Sequence, residues 1–373
     1  VDILKINDLK QLSNDELLSL EKETHDDVDK CYTEQIVKKT LANSLYGAIG
    51  NCYCRWYDIQ QAEAITLSGQ MVIKHIGNTL NKYLNDLFKT EDIDYLLYTD
   101  TDSCYLTLDE LVKRVYKDKN PTDDEVCTFL DKVCKGKLEP LIAKTFTELE
   151  NKYNYVSDQL FMKREAIALS AIWVSKKRYI LSILDDEGVR LSTPKIKAMG
   201  LELKKSSTPS YCRDILTESV DKIFNGTEAD VIEYIDECRK EFKQKPFEEI
   251  AFPRGVNDIG KWSCPDDVVK KCCPIHVRGS LYHNRLLAHY KLERVYKKIS
   301  AGDKIKYIYL KVPNPAGTHV IAFSDTLPTE FNLDEYMDYN KQFEKAFLMP
   351  LRIILDAISW SSEHVNTLEG FFE

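Results

Sequence analysis

The feature that most constrains this chain is the string DYLLYTDTDSCYLTL, residues 94–108. Aliphatic and aromatic residues run up to and away from a short polar centre, the pattern of two antiparallel strands joined by a tight turn. The arms, Tyr95–Tyr98 and Cys104–Leu108, are apolar enough to be buried and leave only the TDTD turn polar. Asp100 and Asp102 sit two apart, so on an extended backbone both carboxylates project from one face while Thr101 points away. Two carboxylates on one face repel, and a divalent cation such as Mg²⁺, which prefers carboxylate oxygens, offsets that repulsion. Asp and Thr are also ordinary turn residues, and an isolated D-x-D is usually no more than a turn. The apolar arms weigh toward a metal-binding hairpin without naming a reaction.

A second constellation lies upstream, in KKTLANSLYGAIGN at 38–51. Lys39, Asn43 and Tyr46 fall on one helical face, and Leu41, Leu45 and Ala48 on another. A cation, an amide and a phenol together can grip a triphosphate and a base: Lys39 as point charge, Asn43 through hydrogen bonds, Tyr46 as a flat surface. Gly47 permits close approach. The same spacing also fits an ordinary amphipathic helix with its polar side in water.

The net charge of −9 argues against a polyanion partner until its distribution is read. Bases outnumber acids from Lys163 to Arg213 and from Arg254 to Lys298, while residues 1–37 and 325–373 are acidic. That fits a phosphate-binding surface between soluble ends, or merely solvated charged faces. In the first basic stretch KKRY, 176–179, follows a predicted strand, and KIKAMGLELKKSSTP, 195–209, carries closely spaced lysines. Lys195 and Lys197 share one face of an extended segment, suited to tracking phosphates along a strand. The second stretch holds CPIHVRGSLYHNRL, 273–286. Zinc binding by Cys264, Cys272, Cys273 and His276 is disfavoured, because there is no C-x2-4-C pair at each end and adjacent cysteines rarely ligate one ion.

At 373 residues the chain has room for two or three compact units. Hydrophobic residues at 43% and charged residues at 30% are the balance of a soluble globular protein. No apolar run is long enough to span a bilayer, and the first residues lack a secretory layout, so an intracellular, cytoplasmic protein with reduced cysteines and no membrane partner is expected. The first residue is Val1 and not Met, which reads as a chain either trimmed or cut from something longer. Residues 12–46 predict two antiparallel helices with a turn around His25–Asp29, opened by Ser13 or Asn14 as a cap. Further helices are predicted at about 58–88, 123–152, 208–245 and 333–357, and strands at 164–184 and 310–323. The class is α+β.

YTDTDS resembles the YGDTDS signature of family B DNA polymerases, with Thr99 where that family usually has glycine. K-x3-N-S-x-Y-G resembles the family's nucleotide-binding fingers helix. Resemblance to the T-even bacteriophage type covers nearly the whole chain. It implies a C-terminal half: helical fingers over 1–51, an antiparallel-sheet palm with the carboxylate hairpin over 52–200, a mainly helical thumb over 201–366 and a clamp-binding tail over 367–373. It implies a DNA-directed DNA polymerase that joins deoxynucleoside triphosphates to primer–template DNA by a two-metal mechanism. Asp102 would be the ligand of both Mg²⁺ ions, with Asp100 a less direct contributor. Lys39 and Asn43 would face the triphosphate, while Tyr46 and Gly47 line the minor-groove side of the nascent pair.

By the same resemblance Lys176, Lys177, Arg178 and Tyr179 hold the primer end. Lys195, Lys197, Lys204, Lys205 and Ser206 grip the backbone behind it, and His276, Arg278 and Arg285 of the thumb add phosphate contacts. The ending NTLEGFFE, with Leu368, Phe371 and Phe372, is similar to a peptide that inserts into a sliding clamp. The family's second acidic motif, followed by S-L-Y-P-S, lies upstream of the fingers, as do the exonuclease acids, and neither occurs here. The isolated chain is therefore expected to be inactive until an N-terminal segment or partner chain supplies the missing acid. The rival expectation is a non-catalytic duplex-binding module tethered to the clamp.

Overall fold

The computed structural model describes residues 12–117, 119–154, 160–264 and 269–363. The chain forms two compact units, one of Val1–Lys119 with Pro140–Phe161 and one of Asn120–Glu139 with Met162–Glu373. Helices and separate antiparallel sheets make the class α+β.

In the first unit, residues 12–46 do not fold into two helices. One 36-residue helix, α1, runs from Asn14 to Ile49. The HDDVD stretch has turn-like polarity, but no Gly or Pro interrupts the sequence between Ser13 and Tyr46, so nothing forces a break. A reciprocal cap starts it: the Ser13 hydroxyl accepts from the Glu16 amide at 3.4 Å, and the Glu16 carboxylate accepts from the Ser13 amide at 2.9 Å. At 1.5 Å per residue it is about 54 Å long, and it buries none of its residues.

Asp58 caps α2 (Ile59–Phe88) through the amides of Gln60 and Gln61. Ile73, Ile76, Leu80, Leu84 and Phe88 form its buried stripe, the helical spacing that drives amphipathic packing. Then come β1 (Leu96–Asp100), β2 (Ser103–Leu106) and α3 (Asp109–Tyr116). The chain crosses to the second unit for α4 (Asp123–Val133), passes a π-helical turn at Cys134–Leu138, and enters α5 (Glu139–Tyr153).

The second unit is built on β3 (Ala166–Ser175), β4 (Arg178–Asp186) and β5 (Val189–Met199), an antiparallel sheet with β4 in the middle. β4 is buried without interruption from Tyr179 to Asp185, as a central strand covered on both faces must be. The helical stretch near 208–245 divides at Gly226 into α6 (Ser210–Asn225) and α7 (Glu228–Phe242). A second sheet joins β6 (Phe252–Gly255), β7 (Lys304–Tyr309) and β8 (Val320–Phe323), against which α8 (Ile275–His289) packs. Helix α9 (Met349–Ala357) adds Leu351 and Leu355 to a core that holds Phe242, Phe323 and Phe343. No described helix is long and apolar enough to cross a membrane.

Candidate active site

The carboxylate hairpin forms as expected, but its turn differs from an extended strand. Asp100 pairs with Ser103, so Thr101 and Asp102 alone make the turn. Thr101 takes φ +57°, and the Asp102 amide donates to the Asp100 carbonyl at 2.6 Å. The two acids therefore sit at a tight reversal and not on a continuous extended strand, which corrects the expectation that an extended backbone projects both carboxylates from one face. The Thr101 hydroxyl donates to Asp100 Oδ1 at 3.1 Å, and the Ser103 hydroxyl donates to the Asp100 carbonyl at 3.1 Å. Asp102 is exposed at the apex and Asp100 half-buried. Thr99 lies in regular strand geometry opposite Cys104.

The hairpin is anchored from α2 by residues that no motif in the sequence singled out. Asn81 accepts from the Tyr95 amide at 2.7 Å through its side-chain oxygen and donates to Asp94 at 3.0 Å. One turn on, the Asn85 side chain donates to the Ile93 carbonyl at 2.7 Å and accepts from its amide at 3.1 Å. The ring of Phe88 packs on Tyr95 with centroids 5.1 Å apart. Two asparagines four apart beside an apolar stripe were the available signal. A carboxylate aimed by a fixed turn needs such support, since its own loop has little buried surface.

Lys39, Asn43, Tyr46 and Gly47 all lie on α1 and are exposed. Nothing stands within 4 Å of where a Gly47 side chain would begin, so close approach there is open to a ligand. Among the described residues, no group of three His, Cys, Asp or Glu side chains is arranged to hold a metal ion. The hairpin carboxylates have the hard oxygen donors that Mg²⁺ prefers, but as a pair they make only part of a coordination shell.

In the second unit Lys176 and Lys177 form the β3–β4 turn and are exposed; Arg178 opens β4, and Tyr179 is buried, its ring 5.0 Å from that of Trp173. Lys195 and Lys197 lie on β5 opposite Ile183 and Leu181. Lys204, Lys205 and Ser206 follow as exposed residues at and after a short 3₁₀ turn, Glu202–Lys204. Two interactions join these basic strings. Gly200, at φ +67°, is so close to the Lys177 carbonyl that a Cβ would sit 2.2 Å from it. Glu202 accepts from Arg178 Nη2 and from Lys205 Nζ, both at 2.9 Å. Burial acts to raise the Glu202 pKa, but the Lys205 hydrogen bond, its own backbone and the Arg178 charge outweigh it and hold the carboxyl below its ordinary range.

Arg278 and Arg285, seven residues apart on α8, share a face. His276 lies on another side near Tyr307, where burial and the Arg254 charge push its pKa down; at neutral pH it offers N–H, not a full charge. Arg254, which sits on β6, was not singled out from sequence. Leu368, Phe371 and Phe372 lie outside the described residues.

The model of DNA polymerase family B matches residues 16–356. The chain belongs to DNA polymerase family B. A DNA-directed DNA polymerase of Enterobacteria phage T4 is 32% identical over 379 residues, 98% of this chain and 42% of that protein. That of Escherichia phage RB69 is 35% identical over 353 residues, covering 91% of this chain and 39% of the relative. A DNA polymerase of Thermococcus sp. (strain 9oN-7) is 22% identical over 333 residues, 88% of this chain and 35% of the relative. This family B chain is thus of the T4 type, and it spans about two fifths of the length of the phage relatives.

Proposed function

We propose that this chain carries one part of a DNA-directed DNA polymerase active site and needs a further segment, in the same polypeptide or another, to complete it. The observation that carries the reading is Asp102 at the apex of an anchored two-residue turn, inside a chain that matches family B over residues 16–356. Asp102 and Asp100 would hold Mg²⁺; such ions, when bound, lower the pKa of a hydroxyl nucleophile and neutralise phosphate charge. The residues of this chain do the rest by placement. Asp102 presents its carboxylate oxygens, Lys39 offers its charge to the triphosphate, and Asn43 donates hydrogen bonds to it. Tyr46 and Gly47 admit the nascent base pair.

Lys176, Lys177 and Arg178 meet the primer end. Lys195, Lys197, Lys204, Lys205 and Ser206, with Arg278 and Arg285, hold duplex phosphates, and His276 donates a neutral hydrogen bond. Residues 1–51 serve as fingers, 52–200 as palm and 201–366 as thumb, and the tail through Leu368, Phe371 and Phe372 engages a sliding clamp. The site of action is the host cytoplasm.

Two observations favour a completing segment. The hairpin supplies two acids where in-line transfer uses two ions, which one aspartate pair rarely holds. Helix α1 leaves Leu18, Val28, Tyr32, Val37, Leu41 and Leu45 exposed, Leu41 by 73%, a display of apolar surface that another chain segment would cover. Primer extension by this chain, with and without a segment bearing the second acidic motif of a T4-type polymerase, tests the reading: extension only with the segment supports it, and none under either condition opposes it.

A further inference from the structure

The residue that joins the two basic strings is an acid, and nothing in a phosphate-gripping role calls for one. Glu202 stands between Leu201 and Leu203, which are 0% and 3% exposed and fix the backbone on either side of it. One carboxylate oxygen takes Arg178 Nη2 and the other takes Lys205 Nζ, each at 2.9 Å. The side chains of Glu202 and Arg178 are 27% and 28% exposed, so solvent screens this pair only in part. Arg178 Nε is buried without a hydrogen-bond partner, which leaves the outer end of the guanidinium to decide its orientation. On the neighbouring backbone Gly200 lies against the Lys177 carbonyl, holding the turn and this segment in register.

We propose that Glu202 is a positioning residue, which sets Arg178 and Lys205 as a prearranged pair of cations for the primer–template backbone. The proposal rests on the duplex-binding reading above and deepens it. Each cation spends one donor on Glu202, and a guanidinium has five and an ammonium three, so both can reach phosphate without leaving the carboxylate. Long basic side chains lose rotamer freedom when they bind; a carboxylate that has already oriented them removes part of that cost. A bare electrostatic view gives the opposite sign, since an acid near phosphates repels them.

The test is fluorescence anisotropy of a labelled primer–template duplex with the full chain, titrated between about 50 and 200 mM salt. Glu202→Gln is expected to weaken binding severalfold and to make the slope of log K against log salt shallower by roughly 0.9 for each phosphate that a basic side chain no longer neutralises. Glu202→Asp, which keeps the charge but shortens the reach, falls between. In the Arg178→Ala/Lys205→Ala background, Glu202→Gln changes nothing further. A general loss of folding would abolish the cooperative thermal transition, which Glu202→Gln is expected to keep with only a slightly lower midpoint. Equal or tighter binding by Glu202→Gln, or an undiminished effect in the double-alanine background, would overturn the proposal. If the parent chain itself showed no salt-dependent duplex binding, the duplex reading would fail and this inference with it, a result distinct from a failure of Glu202 alone.

Discussion

The Asp102 amide donates to the Asp100 carbonyl at 2.6 Å, closing the two-residue hairpin turn across Thr101 at φ +57°. A β-branched residue is costly there, so the turn must be held by its surroundings. The Thr101 hydroxyl, donating to Asp100 Oδ1 at 3.1 Å, supplies part of that hold. Thr101→Val keeps the backbone cost and removes the hydrogen bond, and is expected to lower stability by about 1 kcal/mol in denaturant unfolding. Thr101→Asn, which suits the left-handed region, is expected to be tolerated better than Val.

Gly200 is the meeting point of the two basic strings. A methyl group there would meet the Lys177 carbonyl at 2.2 Å, and φ +67° disfavours any L side chain. Gly200→Ala is expected to destabilise the second unit by about 2 kcal/mol and to weaken duplex binding, read by urea unfolding and by anisotropy.

Arg164 joins Asp131 on α4 to Asp185 on β4, and the side chains of Arg164 and Asp185 are only 8% and 4% exposed. Arg190 extends the network to Asp124 at 2.7 Å and to Asp185 at 3.5 Å. Asp185→Ala takes one of two carboxylates from a buried guanidinium, which keeps Asp131, and is expected to cost about 3 kcal/mol by denaturant unfolding. Replacing Arg164, Asp131 and Asp185 together with apolar residues is expected to cost far less, because no unpaired charge remains.

His283 is 3% exposed and packs edge-on against Phe331, ring centroids 5.5 Å apart. Burial pushes its pKa down to about 4, against a smaller opposing hydrogen bond to the Ala322 backbone. Between that value and the ordinary 6.5, the unfolded chain takes up a proton that the folded chain refuses. This contribution is therefore full above about pH 6.5 and is lost as pH falls toward 4, to a total of about 3 kcal/mol. Thermal or urea unfolding across that range should show the loss, and His283→Leu should flatten this component.

What was legible in the sequence followed from local rules. The Asp100–Asp102 hairpin, the Asp58-capped helix and the strands around Lys176–Arg178 carry alternation, caps and turns that short windows reveal. The single helix α1 escapes such a reading because HDDVD looks like a turn by composition, whereas only a backbone breaker would have made one. The positive φ of Thr101, the anchoring by Asn81 and Asn85, and the Glu202 link between Arg178 and Lys205 depend on distant partners or on backbone closure, which no periodicity encodes.

We propose that Asp102 works in common with an acid carried by a further polymerase segment. This shared role is tested most directly by single-turnover primer extension with Mg²⁺, combining the chain with a segment that carries the second acidic motif of a T4-type polymerase. The mixture is expected to extend the primer and the chain alone to be inert, while Asp102→Asn reduces the rate of the mixture by at least about 10³-fold without loosening primer–template binding. Extension by the chain alone, or full extension by the Asp102→Asn mixture, would contradict it.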